Sequence, residues 1–119
     1  MKRIEVTQTN SIEVAVGNSG GNAIVRLKGR IDVDSSPDVR DYLRTILLND
    51  PRPQSVSVDL ADVTSIEASG IATLIEALKV ARQREIRFHV QGHGSVLQLF
   101  ESSGLLALFD KSSGGNGAS

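Results

Sequence analysis

The residues that could do chemistry in this chain are few. His89 and His93 are its two histidines, and there is no cysteine, which removes disulfides, thiolate metal sites and cysteine nucleophiles together. A zinc site needs a third ligand at a workable spacing, and none follows "HVQGHGS". "HGSVL" places a serine two residues after His93 without the G-x-S-x-G of a nucleophile elbow. "GHGSVLQL" lacks the spacing and the lysine of a phosphate loop. Asp59 and Asp62 close an apolar strand, where an aspartate could accept a phosphoryl group. The plainer reading puts Asp59 on the open side of a sheet and Asp62 in a turn. No acid, base and electrophile assemble, so neither a catalytic residue nor a metal or other cofactor is expected. A small hydrolase using His89 or His93 with Asp59 or Asp62 is the enzymatic alternative.

One stretch has a different character. In "SIEASGIATLIEALKVAR", a Ser-Gly pair opens a helical pattern. Ser69 is a candidate N-cap, its hydroxyl accepting from an early helix amide. Gly70 permits a tight turn and close approach by another group. Exposed amides and the helix dipole make such a corner attractive to an anion, including a phosphate on a serine. Equally, Ser-Gly starts many helices for structural reasons alone.

The elements that must hold this corner follow from periodicity. The chain of 119 residues has the length of one domain. Its composition, 39% hydrophobic and 23% charged, is that of a globular protein, and its net charge of −1 offers no field for nucleic acid or anionic membrane. "MKRIEVTQ" has no apolar run behind its basic residues and no apolar stretch nears ~18 residues, so no signal peptide, no membrane insertion and a cytoplasmic location are expected. "SIEVAV" and "AIVRLKG" alternate as strands around the turn-forming "GNSGGN". Residues 1–10 are either a further strand or a tail.

After Asp34, the run "SSP" leads into "DVRDYLRTILL", which reads as a helix capped by Ser35 or Ser36. Pro37 lies in its first turn, and Val39, Tyr42, Leu43, Ile46 and Leu47 form one stripe. "SVSVDL" is a strand. The next helix carries Ile71, Leu74, Ile75, Leu78 and Ala81 on its apolar stripe. "IRFHVQ" is a strand with Ile86, Phe88 and Val90 facing in. "GHGSVLQLFESSGL" reads as a short helix opened by Ser95 and Gln98, "LLALF" as a last apolar segment, and residues 110–119 as a flexible tail. Helices between strands imply parallel crossovers, and alternation within the strands implies a sheet with one less-covered face. The expected fold is α/β: one domain over residues 11–109, with a mixed, mostly parallel sheet of about four to five strands and about three to four helices.

Three separated motifs, in order, resemble one family. "VSVDLADVTSIEASGIATLIEALKVAR" resembles the region of STAS domains in which a strand ending in Asp-Leu leads to D-S-S-G and an amphipathic helix. "VRLKGRIDVDS", with "SPDVRDYL" directly after it, is similar to that family's Gly-Arg-(Leu/Ile)-Asp corner and first helix, and "VLQLFESSGLLALF" to its closing helix. The resemblance is to the anti-sigma factor antagonist type. It implies a regulator of transcription that binds an ATP-dependent anti-sigma factor kinase and frees a sigma factor. It also implies a switch: the kinase phosphorylates the first serine of D-S-S-G, which breaks the complex, and a PP2C-type phosphatase restores it.

Gly70 sets the register, so D-S-S-G falls on Glu67, Ala68, Ser69 and Gly70. The acceptor position is Ala68, which has no hydroxyl. Three readings stay open. The domain is a constitutive binder; or Ser69, with Ser65 and Thr64 as weaker candidates, is a displaced acceptor; or the same surface serves another partner, such as the ATPase of a lipid-transporting ABC system on which a small STAS subunit sits. The first is preferred to the second, because one residue along a helix rotates a side chain by ~100°. The contact set that the resemblance implies is Thr64, Ser65, Glu67, Ala68, Ser69, Gly70, Thr73 and Glu76. Some STAS domains bind nucleotides, a further possibility that the missing phosphate loop disfavours.

Overall fold

Two adjacent glycines set the sheet's first register. The computed structural model describes residues 3–9 and 12–92. Strand β2 (Ile12–Ser19) turns into β3 (Asn22–Ile31) through Gly20 and Gly21, whose φ values of +58° and +84° are both positive. A two-residue turn of that hand matches the twist of antiparallel strands, and it sets Val14 opposite Leu27 and Val16 opposite Val25. Arg3–Thr9, open between strand and tail in the sequence, forms β1, antiparallel to β2.

The rest alternates: α1 (Ser36–Leu47), β4 (Ser55–Ile66), α2 (Ala68–Gln83) and β5 (Arg87–Gln91). Strand order in the sheet is β1-β2-β3-β4-β5, with β3, β4 and β5 parallel. Only β2 runs against the other described strands, which makes two pairings antiparallel and two parallel, so the sheet is mixed, as expected. Two helices lie within the described residues; the expected helix and apolar segment over 93–109, with His93, and the tail lie outside them. No described helix is long and apolar enough to cross a membrane.

Strand β4 is twice as long as the sequence reading made it. Its buried residues are Val56, Val58, Leu60, Val63 and Ile66, so the period changes from two to three after Leu60. The cause is in the ladder with β3, whose register shifts between Arg26 and Lys28 and again between Gly29 and Arg30. Each shift gives β4 one extra residue and returns the next apolar side chain to the core, as a bulge does. Side chains bond to the irregular backbone: Asp59 Oδ1 accepts from the Ala61 N–H at 2.9 Å, and Thr64 Oγ1 donates to the Gly29 carbonyl at 3.2 Å. The "ADVTSI" segment, where Asp62 was expected in a turn, is therefore strand.

Both helices pack on the sheet face that buries Val14, Val25, Leu27, Val56, Val58 and Phe88. The opposite face carries exposed Ile24, Arg26 and Lys28, the less-covered face that alternation implied. Helix α1 buries Val39, Leu43 and Leu47, with Tyr42 and Ile46 half-buried beside them. Helix α2 differs from its expected stripe. It buries Gly70, Thr73, Leu74, Ala77 and Ala81, while Ile71, Ile75 and Leu78 are half-buried on its flanks. Small side chains let the helix axis approach the sheet closely, and that proximity, rather than maximal hydrophobicity, chose the inward face.

Helix α2 ends in a Schellman motif: the Glu85 N–H donates to the Arg82 carbonyl at 3.2 Å and the Ile86 N–H to the Ala81 carbonyl at 2.8 Å. The motif needs a left-handed residue, and Glu85 supplies it with a φ of 60°. A Cβ makes that conformation costly where glycine would not. Glu85→Gly is therefore expected to stabilise the fold by about 0.5–1 kcal/mol; a urea midpoint at or below that of the parent chain would contradict this.

Candidate functional site

The corner at the carboxyl ends of β3 and β4 is built from short polar side chains. Below it, Gly29 takes a φ of 114° beside the second register shift, which turns β3 towards "RIDVDSS". Asp32 Oδ1 accepts from the backbone N–H groups of Asp34 and Ser35, at 3.0 and 3.1 Å. Ser35 Oγ accepts from the Asp32 N–H at 3.0 Å and donates to the Arg30 carbonyl at 2.9 Å, while Ser36 Oγ donates to the Asp32 carbonyl. Ser35 occupies the N-cap position of α1, but its hydroxyl makes no cap bond to the helix. It points back into the corner, at 0% exposure. The expected serine cap is thus replaced by a serine clasp, because Ser35 Oγ is already engaged by the Asp32 N–H and the Arg30 carbonyl.

The 64–70 segment is stitched onto this corner. The Glu67 N–H donates to the Ile31 carbonyl at 2.9 Å, and the Glu67 carbonyl accepts from Gly70 and Ile71 to begin α2. A Cβ at position 70 would stand 2.5 Å from Ile31 Cγ2 and 2.8 Å from Ile66 Cγ1, so the helix start fits only with glycine there. The N-cap is Glu67, in an extended conformation, rather than Ser69 as the sequence suggested. Ser69 lies one residue inside Ala68, which starts the helix. Its Oγ is buried and has no hydrogen-bond partner in the protein. Its rotation into the packed side follows from the close seat of Gly70.

The structure divides the expected contact residues. Thr64, Ser65, Glu67 and Ala68 are exposed together at the helix start. Glu76 lies two turns on, along the ridge that starts at Ala68 and passes through exposed Ala72, and pairs with Arg44 of α1 at 3.1 Å. Gly70 and Thr73 face inward. Thr73 is 7% exposed and donates its hydroxyl to the Ser69 carbonyl at 2.9 Å. Those two position the corner; neither offers surface to a partner, because each is packed against the protein itself. Sequence reading missed exposed Ala72 and the turn residue Val33, which is 68% exposed. An apolar residue inside an Asp/Ser turn is the signal that could have found the latter.

The histidine–aspartate alternative gains no geometry. His89 stands opposite Ser57, and Asp59 opposite Gln91. Asp59 is 3.6 Å from the Arg26 guanidinium instead. Among the described residues, no group of three or more His, Cys, Asp or Glu could hold a metal ion. A cavity of about 670 Å³ lies at the far end of the molecule, between the β2–β3 turn and the last turns of α1, with Tyr42, Ile46 and Arg52 in its lining.

Comparison with known proteins places this architecture. The family model described as "Mlab, STAS domain" matches residues 14–109. An anti-sigma factor antagonist from Mycobacterium paratuberculosis superposes with a TM-score of 0.71 at 20% identity, over 83% of each chain. The STAS domain of a SulP transporter from Vibrio cholerae gives 0.64 at 22% identity, over 77% of this chain and 70% of that one. The anti-sigma factor antagonist SpoIIAA in its unphosphorylated form gives 0.58 at 10% identity, over 83% and 82%. At these identities the solved structures speak to fold, and the family match covers most of the chain with its glycine-anchored corner inside it. This chain belongs to the STAS domain family.

Proposed function

We propose that the chain is a regulatory docking module of the anti-sigma factor antagonist type, which binds an anti-sigma factor of the serine-kinase type through its 64–76 turn and helix without a phosphoserine switch. One observation carries the reading: at the start of α2 the exposed residue is Ala68, and the only hydroxyl within the Glu-Ala-Ser-Gly turn, that of Ser69, is turned into the protein. A kinase needs the nucleophilic oxygen in its own active site, so burial counts against Ser69 as a displaced acceptor. Without a phosphate, nothing delivers about −1.5 to −2 charges into the interface. A PP2C-type phosphatase then has no phosphoserine to act on at positions 68 and 69.

The same observation favours a second reading, a small STAS subunit seated on the ATPase of a lipid-transporting ABC system, since a permanent subunit needs no acceptor. Co-purification of the chain from its native host distinguishes the two by what is retained, and recovery of neither class of protein would refute both. The kinase reading has its own check. After incubation with the cognate kinase and ATP, intact mass is expected to be unchanged for the parent chain and raised by one phosphate for Ala68→Ser. A phosphate on Ser69 of the parent chain would restore the switch and sink the proposal.

A further inference from the structure

The cavity of about 670 Å³ lies away from the docking corner, and its walls are built in advance. One wall is the end of the β2–β3 hairpin, where Gly20 and Gly21 form the turn. Another is "NDPRP", in which Pro51 and Pro53 fix the backbone on either side of Arg52. Hydrogen bonds tie these two walls together. The Gln54 N–H donates to the Gly21 carbonyl at 2.7 Å, and Ser55 Oγ donates to Asn22 Oδ1 at 2.7 Å. The third wall is the face of α1 that carries Asp41, Tyr42, Thr45 and Ile46. A preformed cleft of this volume suits a small organic molecule.

The polar groups on these walls are uncommitted. Among the described residues, no hydrogen bond or ion pair uses the side chain of Asp41, Tyr42 or Thr45. Among the described lining residues, Arg52 is the one cation and Asp41 the one anion. The Arg52 guanidinium is 3.9 Å from the Glu85 carboxylate, and both side chains are exposed, so this loose pair holds it weakly. Helix α1 rises ~1.5 Å per residue, which puts Asp41 about 10 Å before the helix end, with Arg52 beyond that end. The two charges therefore mark opposite ends of the cleft. Between them the lining is apolar: Val16, Ala23, Ile46 and Pro53, with the half-buried Tyr42.

We propose that this cleft binds a small ring-bearing carboxylate that carries a hydrogen-bond donor at the end remote from its carboxylate. Arg52 takes the anion, since a guanidinium holds a carboxylate bidentately. Tyr42 and the two prolines offer flat apolar faces, against which a ring packs better than a flexible chain does. The Asp41 carboxylate and the Thr45 hydroxyl accept from the donor. Asp41 also repels a ligand that enters the other way round, so the two charges fix its direction. The site is independent of the docking function, which uses the opposite end of the domain.

The probe is p-aminohydrocinnamate, titrated into the isotope-labelled chain and followed by its amide chemical shifts. Saturable shifts concentrated at Gly21, Thr45, Ile46 and Arg52 are expected. Thr45 is exposed, so Thr45→Phe should leave the thermal midpoint close to the parent's while filling the cleft, and should weaken binding about tenfold or more. Arg52→Gln should weaken it about tenfold through loss of the charged hydrogen bonds. p-Aminohydrocinnamide, which lacks the anion, and hexanoate, which lacks the ring, should each bind about tenfold more weakly than the probe. Hydrocinnamate, which lacks the donor, should bind several-fold more weakly, and Asp41→Asn should narrow that difference. No saturable shift, or affinity unchanged in Thr45→Phe, overturns the site. Equal binding of the amide overturns the carboxylate assignment, and equal binding of hexanoate overturns the ring.

Discussion

Gly70→Ala is expected to destabilise the domain by about 1–3 kcal/mol, the usual cost of forcing a methyl group into a filled space. The position leaves no room: the new Cβ would meet Ile31 Cγ2 at 2.5 Å and Ile66 Cγ1 at 2.8 Å. Helix propensity acts in the opposite direction, since alanine is favoured over glycine within a helix by about 1 kcal/mol. A net loss would therefore identify sterics as the stronger effect, and a net gain measured by urea denaturation would refute the close seat. Ile31→Ala tests the cause. It removes the nearest contacting atom and by itself costs about 2–5 kcal/mol, because Ile31 is 1% exposed. In that background Gly70→Ala should cost less than in the parent chain, so the two substitutions are non-additive. Strict additivity would show that position 70 does not press on Ile31. A bulkier side chain, as in Gly70→Arg, would displace the whole corner, which makes it a poor probe of contact.

Two serines that look alike in sequence are expected to behave oppositely. Ser35→Ala removes an acceptor for the Asp32 N–H and a donor for the Arg30 carbonyl inside the protein, and should cost about 1–3 kcal/mol. Ser69→Ala removes a buried hydroxyl with no protein partner, so stability should be unchanged or slightly raised. Alanine also suits the first turn of a helix. Thermal midpoints of the two variants decide the matter: a loss at Ser69 as large as that at Ser35 would mean its oxygen is bonded after all. The contrast serves function too. Because Ser69→Ala keeps the fold, it separates any role of that oxygen in binding from its role in structure.

Much of the fold was legible in order and type. Alternation in "SIEVAV", "AIVRLKG", "SVSVDL" and "IRFHVQ" marked four strands, and Gly20 with Gly21 marked their first turn, because the side-chain period of a strand and the positive φ of a tight hairpin are local properties. The stripe of α1 was legible for the same reason. The continuation of β4 through "ADVTSI" was not. Its buried residues fall every third position there, a pattern that belongs to neither a regular strand nor a helix, and it makes sense only against the register of β3. The inward face of α2 was legible at Leu74 and Ala81 but not at Gly70, Thr73 and Ala77, because hydrophobicity favours Ile71, Ile75 and Leu78, whereas the buried face is made mostly of small residues.

The candidate site divides along the same line. That Ala68 stands where a switchable relative has a serine is a property of the sequence, fixed once Gly70 sets the register. That Ser69 Oγ is turned into the protein is a property of the packing. Its distance from Ala68 along the chain says only that it is rotated by ~100°; which way that rotation points depends on where Ile31 and Ile66 seat the helix. The joining of the end of β3 to the start of α2 likewise depends on a hydrogen bond between residues far apart in the chain, Glu67 to Ile31. Local chemistry named the residues, and the approach of a helix to two strand ends decided which of them are exposed and which are packed.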